Sequence, residues 1–261
     1  MVFIAVGKVM SLAMFVIFFV LLLIFYYMAK QGRGFEIRKR IAGLDAIPEA
    51  VGRATEMGRS IHGATGGSTT ASYRGPQVVA GLAILGYTAE LAAKKGTRVY
   101  ISPREADQVV LSGEVLRLAC TRAGRPDLYR PDQALFWGNM DGSYIAGIWG
   151  FIEREKPAAQ LLVGGWGAEA LLIAEEGKRR KLLQIAGCMM PSQLPFFALT
   201  CDYVMIADEL YVAGCVATGD KVDMSLIVAE DIMKIGLMAM ALIGTILMTF
   251  GSNALVNILT F

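Results

Sequence analysis

The sequence predicts a three-layer α/β domain flanked by N- and C-terminal transmembrane helices. Three observations lead to this prediction. Near each end of the 261-residue chain lies a long apolar run without a charged side chain. Between these runs, short β-rich segments alternate with longer amphipathic segments, which is typical of α/β domains. The turns that follow the β-rich segments are unusually rich in glycine.

The first apolar run covers residues 9–28 and contains no charged side chain. A helix of this length is about 30 Å long, which matches the hydrocarbon thickness of a bilayer. The run is too long for the apolar segment of a signal peptide, and no small-x-small cleavage pattern follows it. It predicts a transmembrane helix within residues 1–29.

A second charge-free run follows Lys234. Its most apolar part, residues 235–250, predicts another transmembrane helix within residues 232–261. The intervening residues 30–231 are enough for one domain with a sizeable core. We expect this domain to begin with a basic connector close to the membrane.

Basic residues directly after the first span predict the orientation of the chain. By the positive-inside rule, residues 30–231 are cytoplasmic, and both termini lie outside the plasma membrane. Arg38, Lys39 and Arg40 are expected to lie against anionic headgroups, so the lipid bilayer is a predicted partner. The net charge is only +2, which argues against a nucleic-acid partner.

Six strand-like segments alternate with helix-like segments in the central region. The strands are expected at residues 59–64, 97–102, 133–138, 158–166, 181–187 and 202–208. The helices are expected at residues 45–58, 76–95, 105–124, 142–156, 168–179 and 192–201. The strand-like segments are apolar on both faces, as in a mostly parallel sheet that helices cover on both sides. This pattern predicts a Rossmann-like domain.

The turns after the strands form the candidate site, because open parallel sheets bind ligands at the carboxyl ends of their strands. Glycine in these turns lets backbone amides approach a ligand. We expect residues 63–68, 138–143, 164–169 and 187–193 to converge on one edge of the sheet. The predicted ligand-binding residues are Thr65, Gly66, Gly67, Ser68, Asn139, Gly165, Trp166 and Gln193.

The same turns carry no established nucleotide-binding motif. The segment GATGGST at residues 63–69 matches neither GxGxxG nor GxxxxGK[ST]. An ordinary strand-to-helix connector therefore stays open as the alternative to a phosphate-binding loop. No cofactor is predicted.

Candidate catalytic groups are few. His62, the only histidine, lies in a predicted strand, and Cys188 follows another. A nucleophilic Cys188–His62 pair is conceivable across the crevice, but no local signature supports it, and buried structural roles are favoured. Asp208 and Glu209 would point to opposite faces of a continuing strand, so no metal site is predicted. No catalytic residue is assigned.

Several segments resemble a family of uncharacterised prokaryotic membrane proteins known only as a domain of unknown function. They are GLDAIPEAVGRATEMGR at residues 43–59, AGRPDLY at 123–129, EKPAA at 155–159 and QIAGCMMPSQLPFFALTCDYVMIADELY at 184–211. The resemblance implies a membrane-associated α/β domain. It implies no catalytic residue.

The leading functional hypothesis is a membrane-anchored scaffold or small-ligand-sensing module that assembles into a homo-oligomer. One alternative is an accessory subunit that binds other subunits of a larger membrane complex. Another is an enzyme that acts on a nucleotide-like or membrane-derived small molecule at the glycine-rich crevice. Co-purifying polypeptides would favour the accessory subunit, and turnover of a bound molecule would favour the enzyme.

Overall fold

The computed structural model describes residues 9–34 and 40–249. The chain divides into two compact units. One is a helical unit of Met1–Ile37 with Asp220–Phe261, and the other is an α/β unit of Arg38–Gly219.

Two long helices form the described part of the helical unit. They are α1 (Val9–Met28), which continues into a π-helical turn at Ala29–Arg33, and α10 (Lys221–Thr249). The two helices pack against each other. The segment Leu12–Gly32 is long and apolar enough to span a membrane, as predicted for the first apolar run. Both helices expose large apolar side chains, such as Phe15 and Leu242.

Some sequence predictions fall on residues that the structure does not describe. Of the three basic residues expected at the membrane surface, Arg38 and Lys39 lie outside the described residues, while Arg40 is exposed. The charge-free run after Lys234 is helical through Thr249, and residue 250 lies outside the described residues.

The α/β unit contains a five-stranded, entirely parallel sheet with the strand order β2-β1-β3-β4-β5. The register pairs Ile61 with both Val99 and Ala159, and it pairs Ala159 with Leu183. The strands are β1 (Ile61–Gly66), β2 (Val99–Ser102), β3 (Ala159–Gly165), β4 (Leu183–Cys188) and β5 (Tyr203–Ile206).

Helices cover both faces of this sheet. They are α2 (Ala42–Asp45), α3 (Ile47–Met57), α4 (Gly75–Lys94), α5 (Ala106–Arg122), α6 (Asp141–Glu155), α7 (Glu169–Arg179), α8 (Leu194–Thr200) and α9 (Glu209–Thr218). Short 3-10 helices lie at Pro126–Leu128 and Pro131–Gln133. One core contains residues of α2–α5 and α9, and the other contains residues of α6–α8. Successive residues of a strand, such as Leu161 and Leu162, point into opposite cores.

The helix α4 also passes the length and composition test for a membrane span. In the α/β unit, however, it lies on the sheet and contributes Val78, Ile84 and Leu85, all fully buried. Its apolar composition is therefore accounted for by the core.

The prediction of a strand at residues 133–138 is wrong. This segment forms one bridge, between Ala134 and Ile101, and then leaves the edge of the sheet. Trp137 turns back so that its indole N–H donates to the hydroxyl of Ser102 over 3.1 Å, and its ring packs against Gly147 of α6. The aromatic β propensity of the segment thus serves side-chain packing rather than a sixth strand.

A row of polar side chains crosses the buried sheet at a single register. Tyr100, His62, Gln160 and Gln184 pair in succession across β2, β1, β3 and β4. The imidazole of His62 is fully buried, with its Nδ1 3.2 Å from Nε2 of Gln160 and its Nε2 2.9 Å from the hydroxyl of Ser102. Gln160 donates to Nδ1, so Nε2 carries the proton that His62 gives to Ser102. Burial lowers the pKa of His62 to about 3.

We predict that His62 makes the α/β unit sensitive to acid. The pKa of His62 is lower in the folded state than the value near 6.5 of an unfolded chain. The contribution of this residue to the free energy of unfolding is therefore complete above pH 6.5. That contribution falls by about 1.4 kcal/mol per pH unit as the pH decreases from 6.5 towards 3. Urea unfolding of the full chain in mild detergent, at pH 7.5, 5.5 and 4.5, measures this loss.

The His62→Gln variant is the control, because glutamine can hydrogen-bond but does not titrate. The unfolding free energy of the natural chain minus that of this variant should decrease steadily as the pH is lowered. Taking this difference cancels the titration of the carboxylates that both chains share. A difference that stays constant from pH 7.5 to 4.5 would show that His62 does not protonate on unfolding.

Candidate functional site

The candidate site lies where the chain reverses direction across the sheet. The connection from β1 leads to β2 on one side, and the later strands β3, β4 and β5 follow on the other side. Ligands of open parallel sheets bind at the carboxyl ends of the strands at such a reversal point. The two turns that meet there follow β1 and β3.

The backbones of these two turns approach each other too closely for side chains. Gly66 has φ of 77°, and a Cβ atom on it would clash with the carbonyl oxygen of Gly165. Gly164 has φ of 143°, and a Cβ atom on it would clash with the carbonyl oxygen of Thr65. Only glycine adopts these conformations at low cost. These glycines let two strand ends meet.

Hydrogen bonds tie the first turn to its surroundings. The buried hydroxyl of Thr65 donates to Oε1 of Gln108 over 2.5 Å, and Nε2 of Gln108 donates to the carbonyl oxygen of Ser68. The hydroxyl of Ser68 donates to the carbonyl oxygen of Gly165 over 3.1 Å. The side chains of Thr65 and Ser68 are thus both engaged within the protein.

A cluster of charged side chains fills the space beside Gly67. Arg104 lies 3.5 Å from the carboxylate of Glu169 and 2.5 Å from that of Asp141. Its Nε also donates to the carbonyl oxygen of Asn139 over 2.9 Å. Glu169 is buried and accepts a 3.0 Å hydrogen bond from the amide of Gly167. A Cβ atom on Gly67 would clash with both Arg104 and Glu169, so the side chains of the protein occupy this position.

Trp166 is part of the core. Its side chain is fully buried, and its ring packs edge-on against Phe197 of α8 at 5.8 Å. Arg74 donates to the carbonyl oxygen of Trp166 over 3.1 Å. The indole Nε1 has no hydrogen-bond partner among the described residues. Trp166 therefore stabilises the turn after β3 and presents no exposed surface to a ligand.

The structure joins most of the predicted ligand-binding residues in this one place. Two turns are in direct contact here. The turn after β1 contains Thr65, Gly66, Gly67 and Ser68, and the turn after β3 contains Gly165 and Trp166. Asn139 is connected to them through Arg104. Gln193 precedes α8, where its amide donates to the hydroxyl of Ser192 over 3.2 Å, and no described hydrogen bond connects it with the others. Its Oε1 is buried without a partner among the described residues.

The sequence reasoning did not identify Arg74, Arg104, Gln108 and Glu169, which fill the site. Arg104 follows β2, and the turn there contains no glycine, so the glycine pattern does not point to it. Glu169 lies at the end of a predicted turn and is the first residue of α7. A search for charged residues within about four positions of each strand end would find both.

His62 is poorly placed to act as a base, and Cys188 is a poor nucleophile. Both ring nitrogens of His62 are occupied within the core, by Gln160 and Ser102. The pKa of the Cys188 thiol is raised by burial, which keeps it neutral near pH 7 and makes it a poor nucleophile. Among the residues that the structure describes, no group of three histidine, cysteine or acidic side chains is arranged to bind a metal ion.

We predict that Gly66→Ala destabilises the α/β unit by at least about 2 kcal/mol. The substitution combines a left-handed backbone conformation with a clash against a carbonyl group. Gly142→Ala in the first turn of α6 is the control, because a Cβ atom there meets no neighbour within 4 Å. It should change the stability by less than about 1 kcal/mol.

Urea unfolding of the full chain in mild detergent compares the two variants. Equal stability of the Gly66 and Gly142 variants would contradict the close approach of β1 and β3.

Comparisons with known proteins give one match. No curated protein and no solved structure matches the chain significantly. A family model described as "Domain of unknown function (DUF6754)" matches residues 1–259, which is nearly the whole chain. This chain therefore belongs to the uncharacterised DUF6754 family.

Proposed function

We propose that this chain is a membrane-anchored, self-assembling scaffold. A Rossmann-like α/β domain is held at the cytoplasmic face of the plasma membrane by transmembrane helices that precede and follow it in the sequence. The observation that carries the proposal is an exposed apolar groove on the outer surface of α4, α5 and α9. Two further observations support it, the topology of the sheet and the filled carboxyl edge.

The topology supports the Rossmann-like assignment. A five-stranded parallel sheet with the order β2-β1-β3-β4-β5 and helices on both faces is a doubly wound arrangement. In such domains the reversal between β1 and β3 is the usual ligand site.

The filled carboxyl edge favours a scaffold over an enzyme. The space beside Gly67 holds the ion pair between Arg104 and Glu169, and the turn after β3 is closed by the buried side chain of Trp166. A small molecule would have to displace a buried, charge-paired carboxylate, which costs several kcal/mol when one partner is left alone.

The groove has the properties of a protein–protein interface. Its cavity measures about 340 Å³ and is lined mainly by apolar side chains. Val79 is 58% exposed, Leu111 41% and Leu118 43%, so three large apolar residues face the outside on neighbouring helices. Contiguous exposed apolar surface of this kind marks interaction sites.

A second copy of the chain is the occupant that we propose for the groove. Anchoring to one membrane plane raises the effective concentration of identical domains. Glu90 and Arg122 also line the groove, on α4 and α5. A twofold axis parallel to these helices would place α4 of one copy against α5 of the other. Each Glu90, which already pairs with Lys94 of its own chain over 2.6 Å, would then also face Arg122 of the other copy, which favours this pairing.

We predict that the full chain forms a homo-oligomer and that Leu111→Asp with Leu118→Asp converts it to a monomer. Two buried carboxylates without partners would cost the interface several kcal/mol. Light scattering coupled to size exclusion in several mild detergents measures the oligomeric state. Mass photometry in nanodiscs provides an independent reading.

The matched control is Leu172→Asp with Leu199→Asp, which changes two exposed leucines on α7 and α8, away from the groove. This control should assemble like the natural chain. A natural chain that is monomeric in every detergent, or two double variants that assemble alike, would contradict the self-assembly proposal.

The cluster of basic residues after the first apolar run supports a cytoplasmic location of the domain in this proposal. We predict that cysteines introduced at Val2 and Asn257 react with a membrane-impermeant reagent in intact cells, whereas a cysteine at Lys178 does not. Cys201 and Cys215, the two native cysteines that are not fully buried, are first replaced by serine. Labelling at Lys178 alone would reverse the orientation.

A further inference from the structure

A polar cavity lies at the opposite edge of the sheet, where β1 and β2 begin. It has a volume of about 440 Å³ and lies between the end of α3, the end of α4 and the starts of the two strands. Ligand-binding cavities have volumes of this order. None of the residues predicted from the sequence to bind a ligand lines it.

Three cationic side chains line this cavity, those of Arg59, Lys95 and Arg98. None of them forms an ion pair or donates a side-chain hydrogen bond to any described residue. Arg104, at the carboxyl edge of the sheet, differs in this respect because it contacts two carboxylates. One carboxylate, Glu155, also lines the cavity, so the cations outnumber the acid by three to one.

Capping of helix ends does not explain these cations. α3 and α4 both end at the cavity, and basic residues often bind the free carbonyls of a last helical turn. Here the backbone already binds those carbonyls. The backbone amide of Arg59 donates to the carbonyl oxygen of Ala54. The backbone amides of Lys95 and Thr97 both donate to the carbonyl oxygen of Ala92. The charged groups of Arg59, Lys95 and Arg98 are therefore not used to cap the helices.

Neutral hydroxyl groups also line the cavity, and those of Thr55 and Thr97 donate within the protein. The hydroxyl of Thr55 donates to the carbonyl oxygen of Val51 and lies 2.8 Å from the hydroxyl of Thr97, which therefore donates to it. Ser60 also lines the cavity, and its buried hydroxyl has no hydrogen-bond partner among the described residues. A buried hydroxyl without a partner is costly in a protein interior unless another group supplies the bond.

We propose that this cavity binds a phosphate group, carried by a small soluble phosphate compound or by a lipid headgroup. Phosphate oxygens accept several charge-assisted hydrogen bonds at once, and arginine matches their geometry with two parallel donors. Arg59 and Arg98 supply such donors and Lys95 adds a third positive charge. With the one carboxylate, Glu155, the formal charge of the lining is three minus one, or +2. The proposal does not depend on self-assembly through the apolar groove.

The test uses the full chain in nanodiscs of phosphatidylcholine. Inorganic phosphate is titrated against sodium chloride at matched ionic strength, and binding is followed by the melting temperature and by line broadening of the phosphate ³¹P resonance. A second arm omits free phosphate and compares nanodiscs with and without phosphatidylglycerol. A response to free phosphate identifies a soluble ligand, and a response confined to phosphatidylglycerol identifies a headgroup.

Arg59→Gln with Arg98→Gln should raise the Kd for the phosphate group about tenfold, because it removes two charge-assisted contacts. A tenfold change corresponds to about 1.4 kcal/mol of binding free energy. Arg125→Gln with Arg179→Gln removes the same charge from exposed arginines outside the cavity and should respond like the natural chain. Arg59→Lys with Arg98→Lys keeps the charge and should retain most of the binding, even if the glutamine variant folds poorly. No response in either arm, or equal responses of the glutamine variant and its control, would overturn the proposal.

Discussion

The architecture of the α/β unit depends on the approach of two backbones at the carboxyl ends of β1 and β3. Gly66 and Gly164 lie against the carbonyl groups of the opposite turn, where no larger residue fits. This contact sets the path of both turns. It directs the chain after β3 so that Trp166 enters the core beside Phe197, and it brings α7 to the position where Glu169 meets Arg104. The closed crevice is therefore a consequence of backbone geometry as much as of side-chain chemistry.

The charges of the two sheet edges differ in the same structure. At the carboxyl edge, Arg104 is shared between Asp141 and Glu169, so the local cation is neutralised within the protein. At the amino edge, the cations around Arg98 have no carboxylate partner among the described residues. An anion entering the carboxyl edge would have to compete with the buried carboxylate of Glu169. One entering the amino edge would meet three solvated cations and the single carboxylate of Glu155. For this reason we place the proposed phosphate site at the edge that doubly wound domains seldom use.

The sequence predicted the alternation of strands and helices well, because fully apolar strands and amphipathic helices leave distinct patterns. Five predicted strands are present, and α3 is capped by Gly58, with φ of 61°, which is the last residue of the helix predicted at residues 45–58. The segment with Trp137 has the same local pattern as a strand, but a tertiary contact to Ser102 decides its conformation. The glycines after β1 and β3 lie where two backbones approach each other closely. A glycine pattern does not reveal whether the approaching group is a ligand or, as with Gly66 and Gly165, another backbone.

Hydropathy does not distinguish α1 from α4, but their burial differs. Both helices are long and apolar enough to cross a membrane. In α4, 61% of the apolar window is buried, because the helix lies on β1 and β3 and gives its side chains to the core. In α1 the buried share is 11%. An apolar helix that packs against protein over so little of its surface would leave large side chains such as Phe15 in water, and a bilayer removes that cost. The membrane anchor that we propose therefore rests on α1, whereas the equally suggestive composition of α4 is explained by the sheet beneath it.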